Sequence, residues 1–414
     1  MSGDPTNGSY DIVIAGGGMI GTSLALALAP LGLRVAVVEA VARQTVLQPS
    51  FDDRTTALSR STQRMFEAMG LWGEIAAAST PIRSIHVSDQ GRFGFSHIDA
   101  EEQGVEALGH VVINRVLGNV LKTALEHCTD VDVYCPARIV GVDTDSSRAR
   151  AVVETGGEQQ TLTARLLVAA DGANSAVREM MGISALKSDY GQYAIVGNLV
   201  PEKDIEYRAF ERFTANGPLA LLPMAGDRAG FIWTVSEDDA ERVMGLDDAE
   251  FLSELQAMFG YRLGELSRVG KRACYPLMLS KAMRLTATRG VLVGNAAHGL
   301  HPVAAQGFNL GMRDVASLCD CIADTRTATG NVDPGDAELL QRYASWRRGD
   351  QRKLVQFTDG LVRLFGSSRR PLRTLRNIGM LGFDLVPGVR SLFAKHTMGL
   401  AGRLPRLSRG VPLR

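Results

Sequence analysis

The residues with the clearest chemical spacing lie near the start of the chain. Gly16-Gly-Gly18-Met-Ile-Gly21 fits the pattern G-x-G-x-x-G, and Glu39 follows it. In such a loop the first glycine permits a tight turn and the second lets backbone approach a pyrophosphate. The third, Gly21, allows a helix to pack closely on a strand. The start of that helix supplies N–H groups and a positive dipole end to the phosphates. Glu39 can accept hydrogen bonds from an adenosine 2′-hydroxyl and would repel a 2′-phosphate. The expected ligand is an adenine dinucleotide. This loop alone does not choose between FAD and NAD.

Two later segments bear on that choice. One is Asp171-Gly172-Ala-Asn-Ser175-Ala-Val-Arg178. The other runs Gly294-Asn295-Ala-Ala-His298-Gly-Leu-His301-Pro302-Val-Ala-Ala-Gln-Gly307-Phe-Asn309-Leu-Gly-Met-Arg-Asp314. A helix starting near Gly307 and Asn309 would offer free N–H groups to an anionic or electron-rich partner. No nucleophile motif and no H-E-x-x-H metal motif is present.

The elements that must position these groups are readable from apolar runs. Residues 11–15, 34–38, 166–170 and 290–294 are short and β-rich, as strands buried in a parallel sheet are. Residues 22–33 read as an Ala/Leu-rich helix closed by Gly32. No charge occurs between Asp11 and Arg34, a stretch long enough to span a bilayer. The glycines in its middle fit a strand, a turn and a helix better.

At these residues the chain resembles the class A flavoprotein monooxygenases, over nearly its whole length and in the right order. The 16–21 loop matches the first FAD motif of that family, Asp171-Gly172 with Ser175 and Arg178 the second, and Gly294 onward the third. The resemblance implies FAD rather than NAD as the bound dinucleotide, with NAD(P)H and O2 as co-substrates. It also implies a flavin C4a-hydroperoxide that delivers oxygen to an electron-rich phenol ring. The ubiquinone-biosynthesis hydroxylase branch is nearer still. Phe51-Asp52-Asp53-Arg54-Thr-Thr-Ala57-Leu58-Ser59 looks like its D-x-R-x-x-A-L segment, where the arginine approaches the flavin. Val112-Ile-Asn-Arg115 resembles the position of a second cofactor arginine, and 190–194 and 217–223 resemble further signature segments.

One departure is informative. The family usually has Gly-Asp in the third motif, where this chain has Gly294-Asn295. Asparagine keeps one acceptor and gains a donor, so a ribityl hydroxyl can still be held. With Leu300-His301-Pro302 and the 306–313 stretch, this looks like the 2-polyprenyl-6-methoxyphenol hydroxylases. The alternatives are a sister hydroxylase acting elsewhere on the ring, a catabolic phenol hydroxylase, and a non-catalytic flavoprotein scaffold. By resemblance the Pro302 backbone lies beside the reactive flavin edge, and His301 hydrogen-bonds substrate or flavin or serves the turn. His298 reads as structural, and His86, His97 and His110 show no ligand spacing.

The resulting fold expectation is α/β. A discontinuous Rossmann-like FAD-binding domain takes 1–80, 105–180 and 286–330, and a sheet-based substrate domain takes 81–104 and 181–285. A helix is expected near 247–259, and C-terminal helices fill 331–414. Five scattered cysteines are no disulfide framework, and the Cys319-x-Cys321 thiols point to different helix faces. With a polar 1–10 stretch lacking the shape of a signal peptide, the expected place is the cytoplasm.

Across 414 residues, 45 Lys+Arg balance 45 Asp+Glu, so overall basicity does not mark a nucleic-acid binder. The balance is uneven: residues 351–414 hold 13 Lys/Arg against 2 Asp/Glu. Two readings of that tail stand. It is a helical cap packed on the FAD domain, or a surface that meets the inner face of the membrane or partner proteins of ubiquinone synthesis, since a polyprenyl phenol resides in lipid.

Overall fold

The computed structural model describes residues 9–42, 54–90, 95–299, 306–329, 333–366 and 393–413. His301, Pro302 and the 367–392 part of the basic tail lie outside the described residues.

The strand Ser9–Ala15 sits at the centre of the parallel strands of an eight-stranded mixed sheet. Val35–Val38 pairs with it on one side and Glu158–Ala169 on the other. Val131–Tyr134 extends the sheet outside the former, and Gly290–Leu292 outside the latter. Every residue of Val35–Val38 is buried, as expected when helices cover both faces. The helix Met19–Leu28 packs against the helices Gln306–Thr329 and Asn114–Glu126. It starts at the glycine loop and gives way to a 3-10 turn, Ala29–Leu31, earlier than its apolar run suggests. Pro30 has no N–H to continue the ladder, and Gly32 closes the turn at φ 61°.

A nine-stranded sheet forms the second layer. Its long strand Ala185–Pro201 lies between Ala273–Ala282 and Ala229–Ser236, followed by Gly217–Pro223 and Arg208–Thr214. Ser84–Asp89 then joins in parallel to Arg208–Thr214, with Phe95–Asp99 at the edge. One face of this sheet buries Ile195, Phe210, Leu221, Phe231 and Trp233 against the helix Asp248–Phe259. Asp247 caps that helix by accepting the Glu250 N–H. The opposite face turns toward a three-stranded sheet of Thr55–Ser59, Gly109–Ile113 and Ser79–Ile82. Ala209, Leu222 and Ile232 meet Ala57, Ile82 and Val111 there.

The described C-terminal residues form a cap. Ala394, Met398, Leu407 and Leu413 are buried, and Ser61 donates its N–H to the Met398 carbonyl. Arg406 pairs with Asp320 at 3.2 Å and with Asp324, and Arg403 stacks on Trp346. These tail cations meet acids and an aromatic of the body. Among the described residues, no helix is long and apolar enough to cross a membrane.

Candidate active site

Sheet register gathers the three glycine segments. Ala15 is paired with Val38 and with Ala169, and Ala169 with Leu292. The chain therefore leaves four neighbouring strands at one edge, into Gly16, Glu39, Ala170 and Val293. That carboxyl edge of a parallel sheet is where ligands bind in folds of this kind.

Sterics fix the first loop. Gly16 has φ +102°, and a Cβ on it would lie 2.5 Å from the Ala170 carbonyl oxygen. A Cβ on Gly21 would lie 1.9 Å from the Gly16 carbonyl oxygen. Gly18 is the extended N-cap of the helix Met19–Leu28 and makes no side-chain cap bond, so the helix's first N–H groups face outward. Glu39 accepts the Gly17 and Val41 N–H groups at 2.7 Å each, one on each carboxylate oxygen. A carboxylate has further lone pairs, and these remain for a ribose hydroxyl.

The second segment is tied to the third. Gly172 has φ +90°. The Asp171 carboxylate accepts from Ser175 Oγ and from the Val177 N–H, bracing the short helix Ala176–Met180. Arg178, 1% exposed, donates to the Ala173 and Ala296 carbonyls at 3.1 Å. It thus bolts the Asp171 turn to the turn after Gly294.

A buried charge network holds the third segment. Asp314 is fully buried and accepts from the Gly294 N–H at 3.0 Å. His298 Nε2 lies 2.6 Å from the same carboxylate oxygen, and Arg347 Nε donates to the other at 2.6 Å. Arg347 reaches on to Asp350, which also binds Arg313. Burial raises the Asp314 pKa, but His298 and Arg347 outweigh it and hold the carboxyl below its ordinary range. Gly294 itself has φ +61°, with Ile20 packed below it. Asn295 is exposed at the start of the 3-10 turn Gly294–Ala296.

At Gly307 a Cβ would meet nothing within 4 Å, so the start of Gln306–Thr329 is open. Asn309 differs. Its side chain accepts from the Ser59 N–H and Thr62 Oγ1 and donates to the Ala57 carbonyl. That amide fastens the helix to Thr55–Ser59. Arg54 and Arg115 leave neighbouring ends of a strand pair, with Asn114 donating its N–H to the Arg54 carbonyl. The Arg54 guanidinium stands 4.4 Å from the Tyr275 ring centroid, where the three-stranded sheet meets the nine-stranded one.

These residues suit FAD. Gly16, Gly17 and Gly21 have no room for a side chain, Glu39 keeps spare acceptor capacity, and two helix starts open on one edge. A family model described as "FAD binding domain" matches residues 9–358. The chain belongs to that family. It is 38% identical over 417 residues to the ubiquinone hydroxylase UbiL of Rhodospirillum rubrum, covering 99% of this chain and 96% of that protein. It is 30% identical to the 3-demethoxyubiquinol 3-hydroxylase of Escherichia coli, covering 95% and 100%. Within the FAD-binding family these matches place it among class A flavin monooxygenases of the ubiquinone hydroxylase branch. The fold matches p-nitrophenol 4-monooxygenase PnpA from Pseudomonas putida with TM-score 0.78 at 19% identity, covering 96% and 99%. As a member of this family the protein is an FAD-dependent monooxygenase with NAD(P)H as co-substrate.

Several contributors escaped the sequence reading. Asp314 and Arg347 carry the third segment, and a carboxylate inside the buried run 310–322 was the available signal. His86 Nδ1 and His97 Nε2 lie 2.7 Å apart across a strand pair, where no local spacing suggested contact. Burial and neighbouring cations, Arg262 foremost, push the His86 pKa down to about 3. Cys319 and Cys321 are both buried with thiols pushed up by burial. Among the described residues no group of His, Cys, Asp or Glu could hold a metal ion.

Proposed function

We propose that this protein hydroxylates the aromatic ring of a polyprenylated phenol in ubiquinone biosynthesis, with 2-polyprenyl-6-methoxyphenol as substrate. One observation supports this reading above the others: Arg54, on the cofactor side, stands over Tyr275 on the sheet face that also carries Ala194, Val196 and Ala220. An apolar wall beside the flavin suits a prenylated ring and excludes water. The names of the relatives, and Asn295 in place of the usual aspartate, point the same way.

Bound FAD supplies electron transfer from NAD(P)H to O2 and an electrophilic oxygen. The chain's own residues do the rest. The 16–21 loop and the helix Met19–Leu28 would hold the pyrophosphate, and Glu39 the adenosine ribose. Asn295 would take a ribityl hydroxyl, and Gly307 would lend its N–H to the ring system. Arg54 and Arg115 would flank the flavin. The Pro302 backbone would line the reactive edge, with His301 hydrogen-bonding the substrate. His301→Gln is expected to lower product formed per NAD(P)H consumed, and unchanged coupling would remove His301 from this role. The membrane reading of the tail is retained for contact at the bilayer face, because the substrate is lipid-borne.

The deciding experiment supplies the purified holoprotein with NADH or NADPH, O2 and a short-chain 2-prenyl-6-methoxyphenol. Mass spectrometry should find one added oxygen and the 1,4-benzoquinol. Oxidation of unprenylated catabolic phenols in preference, or no substrate-dependent NAD(P)H use, would overturn the reading.

A further inference from the structure

The face of the nine-stranded sheet that turns toward Arg54 can be followed by register. Tyr275 pairs with Ala194, and Ala194 with Thr234. One residue pair along, Val196 pairs with Ile232, Ile232 with Ala220, and Ala220 with Glu211. Directly paired residues share a face, and neighbours along a strand alternate. The alternate residues Phe210, Leu219, Trp233 and Ile195 all lie in the core behind the sheet. Ala209 and Ile232, on the Glu211 side, pack toward the three-stranded sheet. The Glu211 carboxyl therefore stands on the same apolar face as Tyr275, four strands across from it.

Among the described residues, Glu211 and Thr234 on this face have no protein partner. Glu211 is half-buried and makes no hydrogen bond or ion pair among the described residues. Thr234 is 0% exposed, and its hydroxyl has no hydrogen-bond partner among the described residues. Buried polar groups are ordinarily satisfied, so the Thr234 hydroxyl marks a place for a polar ligand atom, and Glu211 shares its face. Asp89 ends the adjoining strand with the same parity, and Arg54 comes from the facing sheet at Tyr275, four strands across this face from Glu211. The helix Ala337–Gly366 runs against the strands Arg208–Thr214 and Gly217–Pro223.

We propose that Glu211 takes the proton from the substrate's ring hydroxyl, so that the ring meets the oxygen donor as a phenolate. The inference rests on the phenol-hydroxylase reading given above. The O–H bond breaks, its electron pair stays on the phenol oxygen, and the proton moves to a Glu211 carboxylate oxygen. A phenolate is the more electron-rich ring, which is what an electrophilic oxygen requires. Burial alone pushes the Glu211 pKa up to about 7. A phenol loses its proton near pH ~10, so this shift narrows the mismatch between acid and base. Thr234 is the second polar contact available to the bound ring.

The test uses the FAD-loaded full chain and 4-nitrophenol, whose phenolate absorbs in the visible, with difference spectra taken below the pKa of the free probe. Wild type should bind the probe as phenolate. Glu211→Gln should bind it as the neutral phenol and lower the single-turnover hydroxylation rate of the prenylated methoxyphenol by about 100-fold. Glu211→Asp should restore part of the phenolate band. Flavin content equal to wild type shows that a variant is folded; if Glu211→Gln loses flavin, the Glu211→Asp spectrum decides alone. An undiminished phenolate band with a rate within about twofold of wild type would overturn the role of Glu211. If wild type itself binds and oxidises no phenol, the functional reading fails first, and the two failures are distinct.

Discussion

The 16–21 loop and the turn at Gly294 present backbone to the same sheet edge, yet different forces hold them. The first is set by contact: Gly16 and Gly21 sit where a Cβ would strike a carbonyl at 2.5 and 1.9 Å. Its one charged anchor, Glu39, is close in sequence and half-buried. The second turn hangs from Asp314, which is fully buried and balanced by His298 of the turn itself and by Arg347 of a later helix. Sterics give a loop that accepts no side chain at Gly16 or Gly21 but needs little from afar. Buried charge gives a turn whose geometry depends on distant helices, because an ion left without its partner in a dry interior is strongly unfavourable.

That contrast can be broken experimentally, and Asp314→Ala should have the largest effect. It takes from buried Arg347 one of its two carboxylate partners, leaving Asp350, and leaves the Gly294 N–H without its acceptor. The expected loss is about 3–5 kcal/mol of unfolding free energy with weakened FAD binding, read by urea denaturation and flavin fluorescence titration. An effect no larger than that of a surface substitution would refute the buried-charge account. The same residue sets a pH dependence. Its folded pKa lies below the unfolded value near ~3.9, so the contribution is complete above about pH 4. It is lost as pH falls through the lower folded value. Melting temperature against pH should therefore be flatter on the acid side in Asp314→Asn than in wild type.

Gly21→Ala comes next. The new methyl forces the loop or the helix Met19–Leu28 to shift, at about 1–3 kcal/mol, and FAD affinity should fall with it. Thermal unfolding with and without added FAD separates the two effects, and a variant of full affinity would show that the loop relaxes freely. Tyr343→Phe should have the smallest effect. It removes a buried hydroxyl that donates to the Leu292 carbonyl at 2.9 Å, worth about 1 kcal/mol, while leaving the ion network intact. A loss as large as that of Asp314→Ala would mean that this hydrogen bond is part of the network and not an accessory to it.

Legibility followed the range of the interaction. Glycine spacing, the buried β runs and Glu39 were visible because each acts within a few turns of chain. Asn309 reads as a cofactor contact through the free N–H groups of a helix start; that its amide is held by Ala57, Ser59 and Thr62 is not readable there. Only a partner strand far away in sequence could reveal that. The tail shows the same limit in its charge. Arg406 and Arg403 find Asp320, Asp324 and Trp346, so basic residues that look like a docking face serve in part as a cap. His86 and His97 meet only because two strands pair in one register.

By itself the sequence determined the dinucleotide edge and the family, because both rest on local backbone requirements that glycine positions and apolar runs record directly. Tertiary structure alone decided which charges are buried, which polar groups on the apolar sheet face lack partners, and where Arg54 meets that face. Burial and pairing arise from residues brought together across hundreds of positions, and no local spacing encodes them.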